Sequence, residues 1–150
     1  MKDFLTVLIV SMTPIMELRA SIPLGVALGM DIYVALIISI IGNIFPSLFL
    51  IPLTGKVFDF LRGRAGFIDR FINKMEKKAE SKFHLIEKYK KLGLTILIAI
   101  PLPGTGVWTG CLVASMLNMK LKDAIGSVIV GTLIAAIIVT IITYGVTIFF

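Results

Sequence analysis

Hydrophobic residues fill four stretches of this chain, and polar residues separate them. Residues 32–54 and 124–150 carry no charged side chain and are rich in β-branched residues. About 20 such residues suffice to cross a bilayer as a helix. The pattern therefore predicts two transmembrane helices, of which the first is kinked because it contains Pro46 and Pro52.

The other two apolar stretches are interrupted. Residues 4–16 end at Glu17 and Arg19, and the uncharged residues 92–119 are broken in their middle by prolines and glycines. A helix over residues 92–100 reaches roughly 14 Å into a membrane core of about 30 Å. A segment that enters the membrane, turns at the break and leaves on the same side fits this pattern best. The residues expected at the two breaks are Pro14, Pro23, Gly25, Pro101, Pro103, Gly104 and Gly106.

A basic amphipathic segment lies between the halves of the chain. Residues 67–92 contain neither Gly nor Pro, and their apolar residues recur at three- and four-residue steps. Residues 56–91 hold eleven of the 15 Lys and Arg residues and five of the nine Asp and Glu residues. Positive segments beside membrane spans mark the cytoplasmic side, so we expect a surface helix on that leaflet or against the bundle. A regulatory or peptide-binding role is the alternative.

The chain contains a weak internal repeat. A shift of 89 residues aligns the halves without gaps and gives six identities in 30 positions, among them Gly42 with Gly131. Each half has a broken segment, a short polar link and an uncharged helix. If each half has one hairpin and one span, the halves insert with opposite orientations, a pattern typical of secondary transporters.

The sequence thus predicts an all-α integral membrane fold in a single membrane domain. Two inverted repeats, residues 1–55 and 92–150, each consist of a re-entrant helical hairpin plus a transmembrane helix. A cytoplasmic amphipathic helix within residues 56–91 joins them. A plain bundle of four helices, two of them kinked, is the alternative.

Composition agrees with a membrane protein and excludes several other classes. The chain is 57% hydrophobic and 16% charged, with a mean hydropathy of +1.00, whereas soluble domains are about 25% charged. One Cys and one His leave no disulfide framework and no thiolate or HExxH metal site. The net charge of +6 lies in the basic segment, which indicates the lipid bilayer rather than nucleic acid as its partner. We expect no catalytic set, no metal and no cofactor, and hence no enzyme.

Glu17 and Arg19 are the only charged residues inside an apolar segment. Each costs about 2.5–3.5 kcal/mol at a helix centre, so such residues usually face a cavity and a partner. Glu17 is the candidate for proton exchange, and Arg19 the candidate counter-ion or anion-binding group. A structural ion pair that holds the hairpin, or a position of both residues at the interface, are the alternatives.

Three further polar residues are candidates for the substrate or ion pathway. Thr105 lies in the second break, where free backbone groups and its hydroxyl can coordinate a cation or substrate. Trp108 can stack on an aromatic or cationic ligand or lie at the membrane interface. Asn43 can bond to a hairpin tip or simply join two helices.

Three motifs of the chain resemble the small multidrug export protein family. They are ELRASIPLG from Glu17, GNIFP from Gly42 and PLPGTGVWTG from Pro101. The resemblance covers nearly the whole chain, and the family is generally grouped with the DedA superfamily. It implies two inverted re-entrant hairpins, each packed on a transmembrane helix, and matches Glu17 to the acidic residue of the first hairpin. The second DedA hairpin typically carries arginines around its proline, and this chain has none there.

The expected function is that of a small secondary transporter, a proton-coupled exporter of small molecules. We expect a multi-pass protein of the cytoplasmic membrane that acts as a homodimer, because four short segments hardly enclose a pathway. A DedA-like lipid translocase or scramblase, and a membrane scaffold that transports nothing, are the alternatives.

Overall fold

The computed structural model describes residues 2–61, 73, 77, 90–102 and 104–149, and these residues form no β-strand. Most of the predicted amphipathic segment 67–92 and the predicted break residue Pro103 lie outside the described residues. The helices are α1 (Lys2–Met12), α2 (Glu17–Ala27), α3 (Ile32–Ile44), α4 (Ser47–Leu61), α5 (Lys90–Ala99), α6 (Val107–Met116) and α7 (Leu121–Phe149).

Two helical stretches of the described residues are long and apolar enough to cross a membrane. They are Ile32–Thr54, which comprises α3 and the start of α4, and Leu121–Gly145 in α7. The first is interrupted by a turn at residues 45–46, because Pro46 has no N–H to continue the helical ladder. The two predicted apolar helices are therefore confirmed as candidate spans, and the predicted interruption of the first is confirmed. Asp31 begins α3 by accepting the N–H of Tyr33 at 2.9 Å.

The spans expose large apolar side chains. Ile37, Ile41, Ile137 and Ile141 are between 56% and 65% exposed. Such contiguous apolar surface is rare on soluble proteins and is the usual outer surface of a membrane protein.

Helices α1 and α2 pack against each other and against α3, and we call this pair hairpin one. The structure differs here from the sequence expectation, because Pro23 and Gly25 lie inside α2 and not at the break. The interruption is confined to residues 13–16, which include Pro14. Pro23 is tolerated because packed helices surround it, and Gly25 lets α3 approach closely: a Cβ at Gly25 would lie 2.6 Å from the Ala35 Cβ.

Helices α5 and α6, hairpin two, pack on α7 and α4 respectively. Their interruption is at residues 100–106, which we call tip two. A Cβ on either Gly110 or Gly131 would lie 2.7 Å from an Ile98 side-chain carbon, so both glycines permit close helix contact. An ion pair between Lys91 Nζ and Asp123 Oδ1 at 2.7 Å joins the start of α5 to the start of α7.

The order of contacts shows how the two spans run. Leu36 and Ile40 of α3 belong to the same apolar cluster as Val139 near the end of α7. Ile51, further along the first span, instead shares a cluster with Val128 near the start of α7. The two spans are therefore antiparallel.

Candidate functional site

Glu17 lies where the two hairpins meet. It is the first residue of α2, has a φ of +48° and is 3% exposed. Its Oε1 accepts the backbone N–H of Trp108 at 3.2 Å. Since α6 begins at Val107, the carboxylate of hairpin one caps the N-terminus of a helix in hairpin two, where the helix dipole favours negative charge.

Gly106 provides the space for this carboxylate. A Cβ at Gly106 would lie 2.0 Å from Glu17 Oε2, closer than any real contact. Gly106 also has a φ of +112°, which side chains rarely adopt. Glycine is therefore required here both by the backbone and by the neighbouring carboxylate.

Arg19 connects the same carboxylate to the backbone of tip two. Its Nη2 lies 3.3 Å from Glu17 Oε2 and donates to the Thr105 carbonyl at 2.8 Å. Its Nη1 donates to the Leu102 carbonyl. Residues two apart cannot face each other on a regular helix. These two meet because Glu17 begins the helix in a left-handed conformation.

The Thr105 side chain bonds within tip two, and the Trp108 side chain joins α6 to the end of α1. The Thr105 hydroxyl lies 2.6 Å from the carbonyl oxygens of Ile100 and Leu102 and accepts the Leu102 N–H at 3.1 Å. The hydroxyl therefore closes tip two on itself. The Trp108 indole Nε1–H donates to the carbonyl of Met12, the last residue of α1, at 3.2 Å.

A small cleft lies beside the ion pair and has room for about one water molecule. Glu17, Arg19 and Asn43 line it. Asn43 is 3% exposed, and its Oδ1 has no hydrogen-bond partner among the described residues. The apolar side chains around the cleft come from α2, α5 and α7 and from the start of tip two: Leu18, Ile98, Ile100, Pro101, Ala135 and Val139.

The structure thus brings together the five residues that the sequence indicated, in two groups. Glu17, Arg19 and Asn43 line the cleft, whereas Thr105 and Trp108 form the backbone support behind it.

Sequence reasoning missed two features of this site. The Ser21 hydroxyl donates to the Ser39 hydroxyl at 2.7 Å and joins α2 to α3 in the protein interior. Their shared burial on adjacent helices could have indicated this pair. The sequence does not show which backbone carbonyls accept from Arg19 and Trp108, because every residue has one.

A family model described as "Putative small multi-drug export protein" matches residues 17–138. The chain belongs to this family. The match begins at Glu17 and contains all five pathway candidates, tip two and most of both spans. No curated protein and no solved structure matches the chain.

The family name implies export, and so a transport function rather than an enzymatic one. Together with the two apolar helices, it indicates a membrane protein. The matches support the small multi-drug export family itself and do not extend to the DedA superfamily.

Proposed function

We propose that the chain is a small secondary transporter of the cytoplasmic membrane that exports small molecules in exchange for protons. The observation that carries this proposal is the Glu17 carboxylate, which is buried at the junction of two hairpins and lines a cleft that reaches both spans. A buried carboxylate at such a position is a functional candidate in membrane proteins. Its partners come from both hairpins, so a change in its protonation alters contacts between the halves.

We propose that these halves are inverted repeats. Non-glycine residues with positive φ among the described residues are Glu17 and Asn118. The 89-residue shift pairs Glu17 with Gly106 and Gly29 with Asn118, and all four have positive φ. Positive φ is uncommon outside glycine, so its occurrence at Glu17 and Asn118 supports a common local fold more strongly than apolar identities do.

Hydrogen bonds at the ends of α2 and α6 support the same register. Met30 N donates to the Gly25 carbonyl, and Met119 N donates to the Ala114 carbonyl, each at 3.0 Å. Both residue numbers of the second bond are 89 higher than those of the first, so the two bonds are equivalent in the repeat. The antiparallel order of the spans supports opposite insertion of the two repeats.

We further propose that hairpin two is re-entrant. The ion pair between Lys91 and Asp123 holds the beginning of α5 beside the beginning of α7. The Ser127 hydroxyl adds a bond to the Lys91 carbonyl at 3.1 Å. A chain that had crossed the membrane between these residues would place them on opposite faces, so this contact favours a return to the same side.

Single-cysteine labelling tests the re-entrant path. In a Cys111→Ser background, Lys91→Cys and Lys120→Cys should react with an impermeant maleimide from the same side of sealed vesicles. Asp31→Cys, between hairpin one and the first span, should react from the opposite side and serves as the control. Labelling of positions 91 and 120 from opposite sides would contradict the hairpin and favour a bundle of four spanning helices.

The cleft is too small to hold a substrate in this conformation. Drug-sized ligands need pockets of roughly 300–1,000 Å³, whereas this cleft has room for about one water molecule. Export therefore requires the hairpin tips to separate.

We propose that a homodimer completes the pathway and that residues 56–91 lie on the cytoplasmic side.

Lipid translocation is less well supported by the site. A lipid phosphate needs free cationic donors, whereas three of the five N–H groups of Arg19 donate to tip two or Glu17 and its charge is already paired with that of Glu17. A scaffold role is favoured by the same contacts, since they make Glu17 and Arg19 part of the structure. Transport and scaffold therefore differ in whether Glu17 is also required for coupling.

Flux in proteoliposomes tests the proposed function. Labelled cationic, neutral and anionic small molecules, and a labelled phospholipid, are loaded into vesicles with and without an imposed pH gradient. A proton-coupled exporter should give gradient-dependent movement of a small molecule above that of protein-free vesicles. Movement of the phospholipid alone would favour the translocase, and no movement of any compound would favour the scaffold.

A further inference from the structure

We propose that Trp108 is a positioning residue for Glu17, and that Trp108 and Arg19 form two reciprocal latches of unequal strength across the hairpins. The Trp108 indole holds the end of α1 at Met12, next to the residue 13–16 interruption. Arg19 holds tip two at Leu102 and Thr105. The inference rests on the proposed function only where it assigns a transport role to the weaker latch.

The two latches occupy equivalent positions of the repeat. The shift of 89 residues places Trp108 on Arg19 and Met12 on Pro101, the residue before Leu102. Each side chain is in the first turn of the second helix of its hairpin. Trp108 donates to Met12, the last residue of α1, and Arg19 donates to Leu102, three residues after the end of α5. The same connection is thus made twice, in opposite directions.

The chemistry of the two connections is different. Arg19 makes two charge-assisted bonds to tip two and a third contact to Glu17. Trp108 makes one neutral bond to Met12, at 3.2 Å. Charge-assisted bonds are roughly twice as strong as neutral ones. The interruption of hairpin one also has the more exposed apolar side chain, since Ile15 is 81% exposed and Leu102 in tip two is 58% exposed.

The residue 13–16 interruption of hairpin one should therefore open before tip two does. Trp108 positions Glu17 in two ways: its backbone N–H binds the carboxylate, and its indole anchors the segment that leads into Glu17. When the indole bond breaks, residues 13–17 can move while Arg19 still closes tip two. Transport from a cleft at this junction would then begin on the hairpin-one side.

Amide hydrogen exchange of the full-length protein in nanodiscs tests whether the Arg19 latch is stronger than the Trp108 latch. Glu17 N and Thr105 N are comparable probes, because each donates one backbone bond within its interruption, at 3.3 and 3.1 Å respectively. After correction for intrinsic rates, Glu17 N should exchange at least about tenfold faster, as expected from two charged bonds against one neutral bond. Equal protection, or greater protection of Glu17 N, would overturn the proposal.

Two variants test the assignment of each latch. Trp108→Phe removes the indole donor and should accelerate Glu17 N exchange about fivefold, the value of one neutral hydrogen bond, without changing Thr105 N. Arg19→Lys keeps the positive charge but loses the planar guanidinium that donates to two carbonyls at once. It should accelerate the exchange of Thr105 N more than that of Glu17 N. Acceleration of both amides alike by Trp108→Phe would show general loosening and overturn the proposal. If either variant fails to fold, the wild-type comparison decides.

Flux separates this inference from the proposed function. If the weaker latch limits opening, Trp108→Phe should raise maximal flux by up to about fivefold with little change in KM. A purely structural role predicts lower maximal flux, and that result would overturn the positioning role. If Glu17 N exchanges faster than Thr105 N but the protein gives no flux, the two latches are supported and transport is refuted. If the protein gives flux but the two amides are equally protected, transport is supported and the unequal latches are refuted.

Discussion

Replacement of Glu17 by Gln is expected to leave a folded protein that has lost gradient-driven flux. The Gln carbonyl oxygen can still accept the Trp108 N–H, and Arg19 keeps its bonds to the Leu102 and Thr105 carbonyls. Arg19 is therefore not stranded, and the loss of the contact to Glu17 should cost about 1–3 kcal/mol of stability. The amide cannot bind or release a proton, so the component of flux that depends on the pH gradient should fall at least about a hundredfold, to the level of protein-free vesicles.

Asp31→Asn is the matched control for this experiment. Asp31 is exposed and caps α3, and Asn caps helices about as well as Asp. The control makes the same carboxylate-to-amide change outside the cleft and should retain full flux. Normal gradient-driven flux from a folded Glu17→Gln protein would refute the coupling role. An unfolded or unassembled Glu17→Gln protein beside an intact control would favour the purely structural ion pair.

Replacement of Gly106 by Ala is expected to disrupt the junction of the hairpins. The new Cβ would lie 2.0 Å from Glu17 Oε2 and would adopt a φ of +112°. Overpacking and backbone strain each cost about 1–3 kcal/mol, so the melting temperature in detergent should fall sharply or the protein should fail to assemble.

Gly29→Ala separates strain from steric overlap. Gly29 also has a positive φ, of +79°, but no described atom lies within 4 Å of the point that a Cβ would occupy there. It should lose only about 1 kcal/mol. A Glu17→Ala background should recover part of the loss caused by Gly106→Ala, because the carboxylate no longer fills the space. If Gly106→Ala is as mild as Gly29→Ala, the Glu17 carboxylate does not lie against Gly106.

Much of the fold could be predicted from hydrophobic patterning. The long uncharged segments predicted the two candidate spans, because a bilayer admits few charged groups. Pro46 predicted the kink of the first. Pro23 was misleading as a break, since proline has no N–H and is disfavoured inside isolated helices. Packing of α2 against its neighbours outweighs that preference.

The chemistry of the site was only partly predictable. The cost of placing Glu17 and Arg19 in an apolar segment marked them as a pair with partners. Their actual partners are mostly backbone groups of tip two and the start of α6, more than 80 residues away in the chain. Backbone groups are the same at every residue, so the sequence did not indicate where the two halves meet.

The most direct test of proton-coupled export measures the proton movement that accompanies transport. Vesicles containing the protein and an internal pH dye are supplied with a gradient of the transported compound and no initial pH gradient. Substrate movement should drive an opposite proton flux in the wild type and Asp31→Asn proteins, and none in Glu17→Gln. Substrate movement without a pH change in the wild type, or an equal pH change in Glu17→Gln, would contradict coupling through Glu17.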